Sequence, residues 1–228
     1  MATYSAGEKT RELLVSAAGE LAAMHGFSNV STRAIAQRSG QNIGCIHYHF
    51  KSKLGLFEAV FRAATREMRE SPCSKTLAPF EKDLDQPEVQ SRAIRAIVKR
   101  AIEITFNPDK PWWHIRVLYQ VIHNRDRMMN QVSDEVLVPD LTCLGRFFKQ
   151  IKPELDDDAV FLHTMLINAP IIFHAHNIDS VLSFLKKKKY SKRYLKQMED
   201  MIVGQTQMLL GLPMVTLESC SPCPRADH

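Results

Sequence analysis

Apolar residues recur at three- and four-residue spacing along almost all of this 228-residue chain. No run alternates apolar and polar side chains as a half-buried strand does. That periodicity confines the fold to helices. Leu13, Leu14, Ala17, Ala18, Leu21 and Met24 form the stripe of a first helix over residues 8–25, closed by Gly26. Ser31-Thr32 offers an N-cap to a short helix over 32–38, anchored by Ile35. Ser39-Gly40 is a turn signal, and Asn42 can cap a third short helix carrying Ile43, Ile46 and Tyr48. Ser52 or Lys53 then opens a longer helix through Leu56, Phe57, Val60 and Phe61 to about residue 68.

The period lapses over residues 71–87, where Pro72, Pro79 and Pro87 predict a long loop. It resumes over 88–106 and 112–123, then over 129–151, with Pro139 marking a kink or a split. Residues 156–176 form a strongly apolar helix containing Pro170, and 180–185 and 192–210 complete the chain. The expected fold is all-α: a three-helix N-terminal unit, a connecting helix and a larger helical bundle. The expected divisions are 1–53 with a connector to about 69, then 70–212, then a disordered tail over 213–228.

Composition narrows the classes. A hydrophobic content of 45% supports a sizeable core. A net charge of +5 suits a polyanionic partner. No run approaches 18 consecutive apolar residues and the first dozen lack an apolar leader segment, so the chain is read as cytoplasmic, without a membrane span. Five cysteines, an odd number, fit reduced thiols. Cys220 and Cys223 form one CxxC in a proline-rich tail, too few ligands for a metal. There is no glycine-rich phosphate loop, no Gly-x-Ser-x-Gly elbow and no HExxH pair, so no catalytic residue, cofactor or metal is assigned.

Two short helices separated by Ser39-Gly40-Gln41 make a helix-turn-helix. A helix fits the major groove of duplex DNA with its N-terminal side chains at the base edges. Gln41, Asn42, Ile43 and Cys45 lead the second helix toward the groove, while Ile46 and Phe50 pack inward.

Residues 8–60 resemble the TetR family of regulators. The resemblance rests on Ser31-Thr32-Arg33-Ala34-Ile35-Ala36, then Ser39-Gly40, then the run from Gly44 through His47-Tyr48-His49-Phe50-Lys51-Ser52-Lys53, and Leu56-Phe57. It implies a DNA-binding, ligand-responsive regulator, chiefly a repressor, that binds a pseudo-palindromic operator as a homodimer. Thr32 and Lys53 take phosphate contacts, Lys51 adds charge, and Arg33 is the candidate for reading guanine. The family places a tyrosine where this chain has His47, so His47 or the following Tyr48 takes the backbone contact. The rest of the chain is then the ligand-binding and dimerisation bundle, with residues 156–176 and 192–210 supplying the dimer interface.

Within that bundle Trp113, Tyr119, Phe147, Phe161, His163, Met165, Asn168, Phe173 and His174 are the candidate lining of a mostly apolar cavity for an unknown small-molecule effector. His163 and His174 lie about three turns apart, too far to share a metal. Asp156-Asp157-Asp158 caps its helix, and the run Lys186–Lys189 is a solvated loop. The competing reading is a helical small-molecule-binding protein or enzyme with an incidental helix-turn-helix.

Overall fold

The computed structural model describes residues 6–124 and 130–214, and every regular element in them is helical. The N-terminal unit comprises α1 (Ala6–His25), α2 (Thr32–Ser39), α3 (Ile43–Phe50) and α4 (Lys53–Ala64). The short α5 (Arg66–Glu70) and α6 (Cys73–Leu77) follow. The bundle is built from α7 (Pro87–Thr105), α8 (Trp113–Asn124), α9 (Asn130–Ile151), α10 (Asp157–His176), α11 (Ile178–Phe184) and α12 (Lys192–Leu209).

The small polar residues sit where the orphan N–H groups of helix starts need acceptors. Ser31 Oγ accepts from the Ala34 N–H at 3.1 Å, Asn42 Oδ1 from Gly44 at 2.8 Å, and Ser52 Oγ from Gly55 at 3.0 Å. Gly40, at φ 67°, closes α2 in the left-handed region.

Two sequence expectations are corrected. Residues 71–87 are not a long loop: they hold α6 and a 3-10 turn over Ala78–Asp83. Their prolines start elements instead of breaking them. Pro72 precedes α6, Pro79 lies in the first turn of the 3-10 segment, and Pro87 opens α7. The connecting helix also stops short of residue 68. The buried Thr65 hydroxyl donates to the Phe61 carbonyl at 2.8 Å, and the chain re-enters a helix at Arg66. Pro139 sits inside a continuous α9. The tail expectation and the Cys220-Cys223 motif lie outside the described residues apart from 213 and 214.

Two cores organise the chain. The first gathers Leu14, Ala18, Ile35, Ile46, Phe57 and Phe61 from α1–α4, with Phe27 edge-on to Phe57 at 5.0 Å. The bundle helix α8 completes it with Trp113, Val117, Tyr119 and Val121. Trp113 fills a notch at Gly19, where an added Cβ would stand 2.5 Å from the indole ring. Gln120 Nε2 donates to the Ala23 carbonyl at 3.0 Å beside it. The second core joins α6, α7, α9, α10 and α12 through residues such as Ile94, Val98, Phe148, Ile167 and Val203. Across it Arg95 on α7 pairs with Glu199 and Asp200 on α12 at 2.9 and 2.6 Å.

α10 is apolar all round. By length and composition it is long and apolar enough to cross a membrane, which counting unbroken apolar runs does not register. Asp156 caps it, accepting from Ala159 N at 2.7 Å. Val160, Ile167 and Ile171 face the core, while Leu162 and Phe173 face outward.

Two outcomes follow from the seam between α1 and α8. Gly19→Val should lower stability by about 1–3 kcal/mol, the usual cost of overpacking a filled core, measured by denaturant unfolding; an unchanged midpoint would mean that α8 is free to lift away. The second concerns His114, next to Trp113. Burial first, and then the nearby Lys110 cation, hold its imidazole pKa down to about 4 against an ordinary 6.5, with Glu67 pulling the other way. The unfolded chain therefore takes up this proton at a higher pH than the folded one. Stability should fall as pH drops from 6.5 toward 4. His114→Gln should flatten that part of a thermal-unfolding pH series.

Candidate nucleic-acid interface and cavity

α3 is a two-turn helix with one face on the first core and one face bare. Ile46 and Phe50 are buried, while Ile43, Gly44, His47 and Tyr48 are exposed, Tyr48 at 76%. Ile43 thus presents an apolar tip beside a glycine with no side chain, which permits close approach to a groove wall. Cys45, expected at the base edges, instead leans half-buried on the first core. Gln41 is half-buried too, its amide 3.5 Å from the Ser39 carbonyl. Asn42 is exposed, but its Oδ1 is held by the cap, leaving the amide N–H groups to reach outward.

Cationic and dipolar groups ring this face. Thr32 is the first residue of α2 and Arg33 beside it is exposed. Lys53 is the first residue of α4, with its ammonium 5.6 Å from the Phe57 ring centre. Lys51 closes α3 at φ 67°, a strained conformation for lysine, and its N–H donates to the His47 carbonyl at 3.0 Å. His47 Nδ1 lies 3.0 Å from the Lys51 carbonyl. A carbonyl only accepts, so Nδ1 carries the proton, and Nε2 can donate to a phosphate only as the imidazolium.

Two contributors were absent from the sequence reading. Arg11 on α1 stacks over Phe50, 5.4 Å from the ring centre, adding a cation beside α3. Gly55 is required because a Cβ there would collide with the Phe50 carbonyl oxygen. A glycine in the first turn of a well-capped helix, where it carries a propensity cost, was the available signal.

The bundle encloses a cavity of about 450 Å³ between α7, α8, α9 and α10, with Met68 and Cys73 at one end. Of the nine candidates, Tyr119, Phe161, Met165 and Asn168 border it. The other five candidates do not. Trp113 belongs to the first core, and Phe147 is buried in the second. His163 packs its ring against Phe148 at 5.5 Å, and burial lowers its pKa. Phe173 faces outward. The His174 ring bonds the Pro170 carbonyl at 2.7 Å and the Tyr194 hydroxyl at 2.8 Å, beside the stacked Tyr190 and Tyr194 rings.

The cavity's polar wall was missed. Arg100 on α7 and Asp140 on α9 form an ion pair at 2.7 Å, both mostly buried. Arg100 Nε also donates to the Ser71 carbonyl at 2.6 Å, and Asp140 Oδ1 accepts from the Cys73 N–H at 2.9 Å. Arg100 falls three residues after Ile97 and four before Ile104, on the inward stripe of its helix, which was the signal to read. The Tyr119 hydroxyl is neutral, its pKa pushed up to about 12 by burial, with a bond to Thr105 opposing. Among the described residues no three His, Cys, Asp or Glu side chains converge as a metal set would.

Residues 14–60 match the family model described as "Bacterial regulatory proteins, tetR family". The chain is 28% identical over 141 residues to the HTH-type transcriptional regulator SrpR of Pseudomonas putida, covering 59% of each chain. Among solved structures it is similar to AibR in complex with isovaleryl coenzyme A and operator DNA, with a TM-score of 0.60, 14% identity, and 90% and 100% of the two chains covered. It is also similar to FadR from Bacillus subtilis in complex with stearoyl-CoA, with a TM-score of 0.57, 16% identity, and 90% and 99% covered.

If Lys53 faces phosphate, Lys53→Ala should weaken binding to every duplex by a similar factor and lower the salt slope by about one per subunit contact. Arg33→Ala or Asn42→Ala should instead relax discrimination at particular base pairs. Fluorescence-anisotropy titrations at several salt concentrations measure both, and an unchanged slope for Lys53→Ala would refute the phosphate assignment.

Proposed function

We propose that the chain, whose residues 14–60 match the family model of tetR regulatory proteins, is a cytoplasmic, ligand-responsive repressor of transcription that binds a pseudo-palindromic operator as a homodimer. The observation that carries the reading is the bare face of α3, flanked by the N-termini of α2 and α4 and joined by α8 to a bundle that holds a cavity. In this reading Thr32, Lys53 and Lys51, with Tyr48 or a protonated His47, position the backbone. Arg33, Asn42 and Ile43 discriminate bases, and Gln41 and Cys45 stand behind them.

One short reading helix buries too little surface for tight specific binding, so two copies act together. The neighbouring helices α10 and α12 carry the surface for that. Leu162, Met201 and Met208 are 67–74% exposed in the single chain, an apolar area that a soluble protein covers with a partner. The same surface accounts for the hydropathy of α10 without a bilayer.

The effector is an apolar or aromatic small molecule held in the cavity lined by Tyr119, Phe161, Met165 and Asn168. It acts by favouring a spacing of the two reading heads that fits the operator less well, since only differential affinity moves such an equilibrium. AibR and FadR, which share the fold, are named in complexes with acyl-coenzyme A thioesters, and an aliphatic lining suits an acyl chain. The rival reading, a helical binding protein or enzyme, needs convergent reactive side chains at the cavity, whose charged groups, Arg100 and Asp140, are instead paired with each other.

Gel-shift binding to the DNA flanking the protein's own gene separates the two readings. Light scattering should give a dimer at micromolar concentration. Leu162→Asp combined with Met201→Asp should yield monomers that lose the operator complex. A native chain that is monomeric yet binds its operator fully would overturn the dimer.

A further inference from the structure

The segment where the reading unit enters the bundle, residues 68–73, is tied down by one wall of the cavity. Arg100 Nε donates to the Ser71 carbonyl at 2.6 Å, and Arg100 Nη2 reaches the Met68 carbonyl at 3.5 Å. The same Nη2 donates to Asp140 Oδ2 at 2.7 Å, while Asp140 Oδ1 takes the Cys73 N–H at 2.9 Å. Two side chains from α7 and α9 thereby hold three backbone groups of the connector. Met68, Cys73, Arg100 and Asp140 all border the cavity, so whatever fills it meets the tie directly.

The charge of that wall restricts the occupant. Arg100 and Asp140 are the charged side chains among the lining residues, and they neutralise each other. The remaining lining is aliphatic or aromatic apart from Thr105, Tyr119, Asn168 and the Cys73 thiol, which burial keeps protonated. An anion placed here would face Asp140 with no free cation, and a cation would face Arg100. Either is a buried charge without a partner, which proteins rarely tolerate. A neutral head with a hydroxyl, carbonyl or amide can instead donate to Asp140 or accept from Arg100. The several phosphates of a coenzyme A head would find no counter-charge inside, so an acyl chain is the part of such a thioester that this cavity can hold.

We infer that the effector is a neutral, mostly apolar molecule whose polar head competes for the Arg100–Asp140 pair, and that this competition loosens residues 68–73 and so couples the cavity to the reading head. The inference rests on the regulator reading above and specifies both the chemistry of its ligand and the route of its effect. The pair has two discrete arrangements, closed on the connector or engaged with the ligand, which is the kind of element that carries coupling.

The test uses two fluorescent probes with a common ring system: neutral N-phenyl-1-naphthylamine and anionic 1-anilinonaphthalene-8-sulfonate. The neutral probe should bind the full chain at least tenfold more tightly, and Ala101→Trp, which fills the cavity, should abolish its signal. At saturation it should weaken the complex with DNA flanking the gene at least fivefold. In Arg100→Lys and in the near-isosteric Asp140→Asn, that change should shrink below twofold. Amide hydrogen exchange over residues 68–73 should already be faster in both variants without any probe.

Equal binding of the two probes at an Ala101→Trp-sensitive site would overturn the neutral class, and absence of neutral-probe binding would overturn the site. A full response retained by both variants, a native complex unmoved by saturating probe, or unchanged exchange over residues 68–73 would overturn the coupling. Failure of the native chain to bind that DNA at all would instead sink the regulator reading, a separate result.

Discussion

The Trp113 indole seated on Gly19 is the contact on which the rest of the arrangement depends. The four N-terminal helices leave their core open on one side, and α8 supplies the missing wall. A reading head completed by a bundle helix cannot move independently of the bundle. The same helix carries Leu118 and Tyr119 on the boundary of the cavity. A side chain chosen for packing in the first core is thus within two turns of the surface a ligand would touch.

A second tie runs alongside. In the connector over residues 68–73, Arg100 and Asp140 hold the Met68 and Ser71 carbonyls and the Cys73 N–H. Polar groups this buried persist when each has its partner, and removing one leaves the others exposed to the full cost of burial. The cavity beside them is otherwise greasy. An occupant therefore acts on a small number of strong, directional bonds and not on diffuse packing. In the proposed dimer, covered α10 and α12 faces would hold the pair of bundles while these two ties set where each head sits.

Much of the N-terminal unit was legible because its signals are local. Ser31, Asn42 and Ser52 are caps, Gly40 ends α2, and Ile35, Ile46 and Phe57 recur at helical spacing. The misreadings have equally local causes. Pro72, Pro79 and Pro87 look like breakers in a sequence, yet proline is comfortable in a first turn, where its missing N–H has no partner to lose. Thr65 ended α4 through a hydroxyl bond to its own helix that no period reveals. The cavity was the hard part. Aromatic and histidine content marked its region, but Trp113, His163 and His174 went elsewhere because their partners, Gly19, Phe148 and Tyr194, lie far along the chain. Lining residues are fixed by tertiary contacts, and charged ones such as Arg100 are discounted when only apolar stripes are counted.

In the proposed regulator, everything downstream requires that the bare face of α3 read a particular duplex. The most direct measurement is an anisotropy titration of the full chain onto the DNA flanking its own gene, with a scrambled duplex of the same length as control, repeated from low to physiological salt. Affinity for the native duplex should be at least about 10³-fold tighter than for the scrambled one at physiological salt, with both falling steeply as salt rises. Equal affinity for the two duplexes, or binding that ignores salt, would contradict it.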